Sequence, residues 1–291
     1  MINRKLLLFL SLAFVCVTFG CKSKSSSKLG ENVSSAADDT LCVDSVVFSQ
    51  EDTSVSCRIK VDYPQGEGKL ADSVRALLNS QLAEAVIVNL CNDKDALRAK
   101  SFQGSLADGD AMLAHYGRCA AQTLTEEWKE LKQVNPELSY PFAFTLTLAK
   151  ANETPRYLTY ALTSYQYLGG AHGMSSSYKF NIDKAHGVVL QQVVDTLQTK
   201  ALQPMLRRGV MSYLRACGQE VKEQELKDIL FIKDGIIPLP AKTPVLANDG
   251  VEFIYQHYEI GPYAMGMVQF KVSYEDIRPY LTAEAARLLQ H

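Results

Sequence analysis

The sequence has no surplus of either charge. Its 30 Lys and Arg face 32 Asp and Glu, a formal net charge of -2, so the strong positive field that nucleic-acid binding relies on is missing. No Cys-x-x-Cys occurs, which removes the spacing of a zinc knuckle and of a thioredoxin-like redox pair. Histidine is scarce: His115, His172, His186, His257 and His291 include no two at three- or four-residue spacing, so no pair shares a helical face as a His-Glu-x-x-His site requires. A dedicated metal site is not expected. The serine-hydrolase elbow Gly-x-Ser-x-Gly is absent too, because "GMSSS" sets Ser177 where the second glycine is needed after Gly173 and Ser175. Phosphate-cradling glycine loops are lacking, and no cofactor is implied.

Long apolar runs are also few. The one at the start, Leu6 to Phe19, follows Arg4 and Lys5 and precedes Gly20 and Cys21, the layout of a secretory signal and too short to span a bilayer comfortably. "TFGC" reads as a bacterial lipobox, with residues 1–20 the signal peptide and Cys21 the lipidated first residue of the mature chain. Several acyl chains on one residue anchor stably where a single chain does not. Residues 21–40 are Ser-rich and nearly free of large apolar groups, hence a flexible tether. Lys22, Lys24 and Lys28 stand where a Bacteroidetes-type surface-export tag would be acidic, which favours a periplasm-facing anchor. Five cysteines remain in the folded part, Cys42, Cys57, Cys91, Cys119 and Cys217, an odd number whose pairing the spacing leaves open.

What remains is a globular composition, 47% hydrophobic and 21% charged. "LCVDSVVF" and "SVSCRIKVDYP" alternate as strands, and the second stops at Pro64. Helical periods follow, from Lys69 to about Leu90 and from Met112 to Leu131. The period then returns to two in "YPFAFTLTLAK", "RYLTYALTSYQYL" and "SSYKFNID", with "VVLQQVVD" as a further strand. A helix over Thr199–Cys217 ends at Gly218, and "VEFIYQ" and "MVQFKVSY" give two late strands before helical turns that Ser273 and Thr282 could cap. Hairpins mixed with helices predict an α+β fold, mainly antiparallel sheets with packed helices in two subdomains, residues 41–150 and 151–291.

Two corners are candidates for ligand binding. In "YLGGAHGMSS", glycines on both sides of His172 free the backbone and leave the imidazole uncovered, though a histidine bonded to backbone in a glycine-rich bulge is the simpler reading. In "HYEIGPYAMG", aromatic loop residues offer broad contact area at small entropic cost, or pack at strand ends with their hydroxyls in water. The candidate set is Gly169, Gly170, His172 and Gly173 with Tyr258, Glu259, Tyr263 and Gly266; no catalytic residue is assigned. Asp110, Glu126 and Glu127 read as a solvated helix face.

"YLGGAHG" with "FNID" and "VVLQQVVD", and far downstream "YEIGPYAMG" with "VSYEDIRPYL", resemble the extracytoplasmic domain family of unknown function found in the anti-sigma factor RsiV. "IKVDYPQGEG" followed by "LLNSQL" resembles its N-terminal companion domain, also found in the deacetylase PdaC. The resemblance runs from about Val43 to Leu289 and implies an α+β envelope module; in RsiV the corresponding region binds lysozyme. Here a lipobox stands in place of the cytoplasmic segment and spanning helix, and PdaC's separate catalytic domain is not matched.

The expectation is a lipid-anchored envelope protein. Its body would be a non-catalytic binding module for a lysozyme-like protein or a cell-wall glycan, with the membrane as partner through the anchor and no nucleic acid. A hydrolase of peptidoglycan or polysaccharide would need His172 to meet Glu259 or a tyrosine around a cleft. A structural lipoprotein would show an extensive apolar patch.

Overall fold

In the computed structural model, residues 40–290 are described; the expected signal peptide 1–20, the expected anchor Cys21 and nearly all of the expected tether lie outside them. Strands β1 (Val43–Glu51) and β2 (Val55–Pro64) pair as an antiparallel hairpin. In β2 the alternation is literal: Val55, Cys57, Ile59, Val61 and Tyr63 are all buried. The turn after Pro64 is held by buried Arg75, whose guanidinium donates to the carbonyls of Pro64 and Gly66.

Arg75 belongs to α1 (Lys69–Ala83), which was expected to run on to about Leu90. Instead the α register stops at Ala83 and Glu84–Val88 forms a π-helical segment, where the Asn89 and Cys91 amides reach back five residues to the Glu84 and Val86 carbonyls. A short α2 (Leu97–Lys100) and the long α3 (Gly109–Val134) follow, the latter capped by Asp108, whose carboxylate accepts from the Ala111 amide.

The chain then returns in β3 (Phe142–Glu153), which lies parallel to β2, so α1 to α3 make a β-α-β crossover within a sheet that is otherwise antiparallel. Strands β4 (Tyr157–Tyr167), β5 (Met174–Asp183) and β6 (Val188–Val189) complete a 6-stranded sheet in sequential order. One face carries the first core, where Val74, Leu78, Leu113 and Tyr116 meet Ile59, Leu146, Tyr160 and Leu162. Residue 150, the expected dividing point, lies inside β3 beside a bulge between Lys150 and Asn152.

The expected strand "VVLQQVVD" is mostly not one. Only Val188 and Val189 pair with β5, because Leu190, Val193 and Val194 turn into a second core and brace the C-terminal segment through a bridge between Val194 and Leu281. That core gathers α4 (Thr199–Ala216), α5 (Leu226–Ile229) and a 3-stranded antiparallel sheet of β7 (Val245–Leu246), β8 (Gly250–Ile254) and β9 (Gln269–Ser273). Gly218, at φ 79°, follows α4 as the sequence implies. Helices α6 (Tyr274–Ile277) and α7 (Ala283–Leu288) are capped by Ser273 and Thr282.

Side-chain amides join the two cores. The buried Asn181 on β5 accepts from the Leu246 amide at 2.7 Å and donates to the Leu246 carbonyl at 3.0 Å. Gln256 treats Ser177 the same way, accepting at 3.1 Å and donating at 2.7 Å. Each amide stands in for a strand neighbour. Lys179 on β5 and Glu252 on β8 pair at 2.7 Å between these two bonds. These clasps set the loop after β8 against the start of β5.

Candidate functional site

The link between β4 and β5 needs its glycines for different reasons. Gly169 has φ 83°, and a Cβ there would lie 2.8 Å from Leu131 and 3.0 Å from Phe142. At Gly173 a Cβ would meet the Tyr165 ring at 2.2 Å, whereas Gly170 has only a carbonyl at 3.9 Å. Close packing dictates the first two; nothing steric dictates the third.

The loop between β8 and β9 is shaped by Glu259. Its carboxylate accepts from the Gln256 amide of the same loop at 2.7 Å and from the Ala241 amide, in the segment before β7, at 2.5 Å, so both oxygens are taken up by backbone. Tyr258 takes φ 66°, uncommon for a bulky residue, and its side chain is left 50% exposed. Gly266, at φ 78°, lies where a Cβ would press on the Tyr213 hydroxyl, which donates to the neighbouring Met265 carbonyl.

These two loops converge on Tyr263. Its ring stacks on His172, with centroids 4.0 Å apart and planes at 21°, and on His257 at 4.3 Å and 20°; Tyr258 tilts against it at 5.7 Å. The Tyr263 hydroxyl donates to the Gly173 carbonyl at 2.8 Å. His172 Nδ1 lies 2.9 Å from the same oxygen, and since a carbonyl only accepts, Nδ1 carries the proton in this contact. His257 Nδ1 is buried with no protein partner.

His172, Gly173, Tyr258 and Tyr263 therefore form one cluster. Glu259 is directed to the backbone amides of Gln256 and Ala241, and Gly169, Gly170 and Gly266 form the cluster's margins. No carboxylate among the described residues bonds to the His172 ring, which instead meets a carbonyl and an aromatic face. The cluster presents stacking surface and one imidazole nitrogen, without an assembled proton relay.

Beside it lies a cavity of about 370 Å³, sharing Met174, Ser175 and Gln256 with the corner. It opens where the inward positions of β4 and β5 change from Leu162 and Phe180 to Ser164, Gln166 and Ser176, and the Ser164 and Ser176 hydroxyls lie 2.7 Å apart. The π-helical segment supplies Glu84 and Ala85, and Asn89 follows. Lys242 sits 4.7 Å over the Tyr178 ring, whose hydroxyl donates to Gln81 and whose ionisation burial pushes up to about 12. Hydroxyls, amides and two aromatic rings, Phe144 and Tyr178, thus surround the space with one carboxylate and one ammonium. The pattern signals this only as an interruption of apolar alternation by "TS" and "SSS". No group of three His, Cys, Asp or Glu among the described residues is placed to hold a metal ion.

Residues 50–175 match the family described as Deacetylase PdaC, and residues 195–275 match the one described as Protein of unknown function (DUF3298). The order of the two matches is that of a PdaC-like region followed by a DUF3298-like one. A DUF3298 family protein of Bacteroides fragilis NCTC 9343 superposes with TM-score 0.58 at 20% identity, covering 84% of this chain and 96% of its own. One from Pseudomonas aeruginosa PAO1 gives 0.55 at 17%, covering 85% and 97%. At such identities the likeness is one of fold. No curated protein matches the sequence. The glycine corner lies in the PdaC-like region and the Tyr263 loop in the DUF3298 region, so the candidate site is made where the two meet.

Proposed function

We propose that this chain is a lipid-anchored envelope protein, acylated at Cys21 and facing the periplasm, whose body binds a cell-wall glycan without transforming it. The lipobox supports the anchor. No helix among the described residues is long and apolar enough to cross a membrane, so any attachment through that part would have to be other than a helical span. The observation that carries the binding reading is the meeting of the two corners at Tyr263 beside a cavity lined by hydroxyls and amides. Sugars are bound by such mixtures, apolar ring faces on aromatic side chains and hydroxyls on small polar groups. With Glu259 held by backbone amides, stacking is the chemistry the corner offers best.

Titration of the purified protein with soluble peptidoglycan fragments tests this. Saturable binding is expected, weakened about tenfold by Tyr263→Ala, which takes the middle ring out of the His172–Tyr263–His257 stack and so unmakes the surface the two corners present together. No saturable binding by a correctly folded protein would count against the reading. Turnover of the fragments that disappears in His172→Ala would replace it with a hydrolase. A second reading, a lysozyme-like protein as ligand, draws on Tyr165 and Tyr258, exposed by 39% and 50%. Lysozyme in the same titration, with Tyr258→Ala as the variant, separates the two.

A further inference from the structure

Cys91 and Cys119 lie outside the candidate site. Cys91 follows the π-helical segment and Cys119 sits on α3, and their sulfurs are 3.7 Å apart although 28 residues separate them in sequence. Among the described residues this is the one pair of cysteine sulfurs in contact. Cys57 is buried in β2 against the Gly117 carbonyl, and burial pushes its thiol up to about 12; Cys42 and Cys217 are exposed. Both members of the close pair are half-buried, so a small reagent can reach them.

We propose that Cys91 and Cys119 are a thiol–disulfide site, oxidised by an external disulfide to a bond that ties the end of the π-helical segment to α3. Rotation about the two side chains brings 3.7 Å to the S–S bond length of about 2 Å without moving either element far. Cys91 is the attacking sulfur. The Cys119 sulfur 3.7 Å away, the Thr123 hydroxyl 3.1 Å away and the Lys100 ammonium nearby together lower the Cys91 thiol and favour its thiolate. Cys119 is held protonated, first by its hydrogen bond with Cys91 and then by burial. The Cys91 thiolate attacks one sulfur of the external disulfide, forming a mixed disulfide and expelling the other sulfur as a thiolate. Cys119 then gives its proton to solvent and attacks the Cys91 sulfur, expelling the second thiolate. Two electrons pass from the cysteine pair to the oxidant, which leaves as two thiols.

The bond would hold one wall of the cavity, since Glu84, Ala85 and Asn89 lie in the stretch that Cys91 ends. The test uses the whole chain treated with oxidised glutathione, then alkylated, digested and mapped by mass spectrometry. A cross-linked peptide pair holding Cys91 and Cys119 is expected. The thermal midpoint should rise by roughly 5–10 °C over the dithiothreitol-reduced form, as closing a loop of this length implies. Cys119→Ser should retain glutathione on Cys91, having no thiol to displace it, while Cys91→Ser should leave Cys119 unmodified. Both thiols free after oxidation, or Cys91 joined to Cys42 or Cys217, would overturn the proposal. The mapping needs only the natural sequence, so a poorly folding variant does not blunt it.

Discussion

Single residues divide what the sequence presents as a set. Gly169, Gly170 and Gly173 look alike in "GGAHG", yet only Gly169 combines a left-handed backbone with a crowded Cβ position. Gly169→Ala should destabilise by about 1–3 kcal/mol, and Gly170→Ala by less than about 0.5 kcal/mol, in denaturant titrations. Buried carboxylates set the acid limit. At Asp183 burial pushes the carboxyl up, but hydrogen bonds from His186 and Arg287 outweigh it and hold the group below its ordinary value. A depressed folded value means stability that is present above the unfolded value of about 3.9 and lost as pH falls through the folded one. Glu153, bonded by Lys150 and Lys184, follows the same sign. Stability should therefore fall below about pH 4, and Asp183→Asn should both cost about 1–3 kcal/mol near neutrality and flatten that acid limb. Urea midpoints measured across pH check both.

Among elements, the amide clasps carry consequences that strand periodicity does not announce. Asn181 looks like one more alternating residue of "FNID", but its side chain serves both backbone atoms of Leu246 in the interior. Asn181→Ala strands these groups away from water and should cost about 2–4 kcal/mol in chemical denaturation. Gln256→Ala leaves Ser177 on a half-exposed edge that water can reach, so it should cost about 1 kcal/mol while loosening the Tyr263 loop. Loss of nuclear Overhauser contacts between His172 and Tyr263 would report that loosening. The strands and the helices were legible because burial on one face repeats at two or at about three and a half residues. The π-helical register was not, since Glu84 to Val88 keep a helical apolar pattern whichever hydrogen bond closes the turn.

For the whole molecule, the prediction concerns location. If Cys21 is acylated, the expressed full chain should partition with membranes and incorporate labelled fatty acid, and Cys21→Ser should abolish both. Labelled, processed protein in the membrane fraction is the expected result; an intact leader in the cytoplasm would sink the envelope reading. The arrangement of the body adds a second consequence. Because the corner is assembled from the PdaC-like and DUF3298 regions together, neither region alone contains the stacked cluster of His172, Tyr263 and His257.

The α+β class, the order of nearly all the longer elements, the caps at Ser273 and Thr282 and the family resemblance could be read from the order of amino acids, because each is written within a short window of chain. It took the packed molecule to show that β3 runs parallel to β2, that "VVLQQVVD" leaves the sheet, and that Glu259 turns away while His172 and Tyr263 stack. The reason is physical. Local periodicity records which face of an element is buried, whereas a contact between residues 172 and 263 depends on how two separately buried faces pack, and no repeat along the chain encodes that.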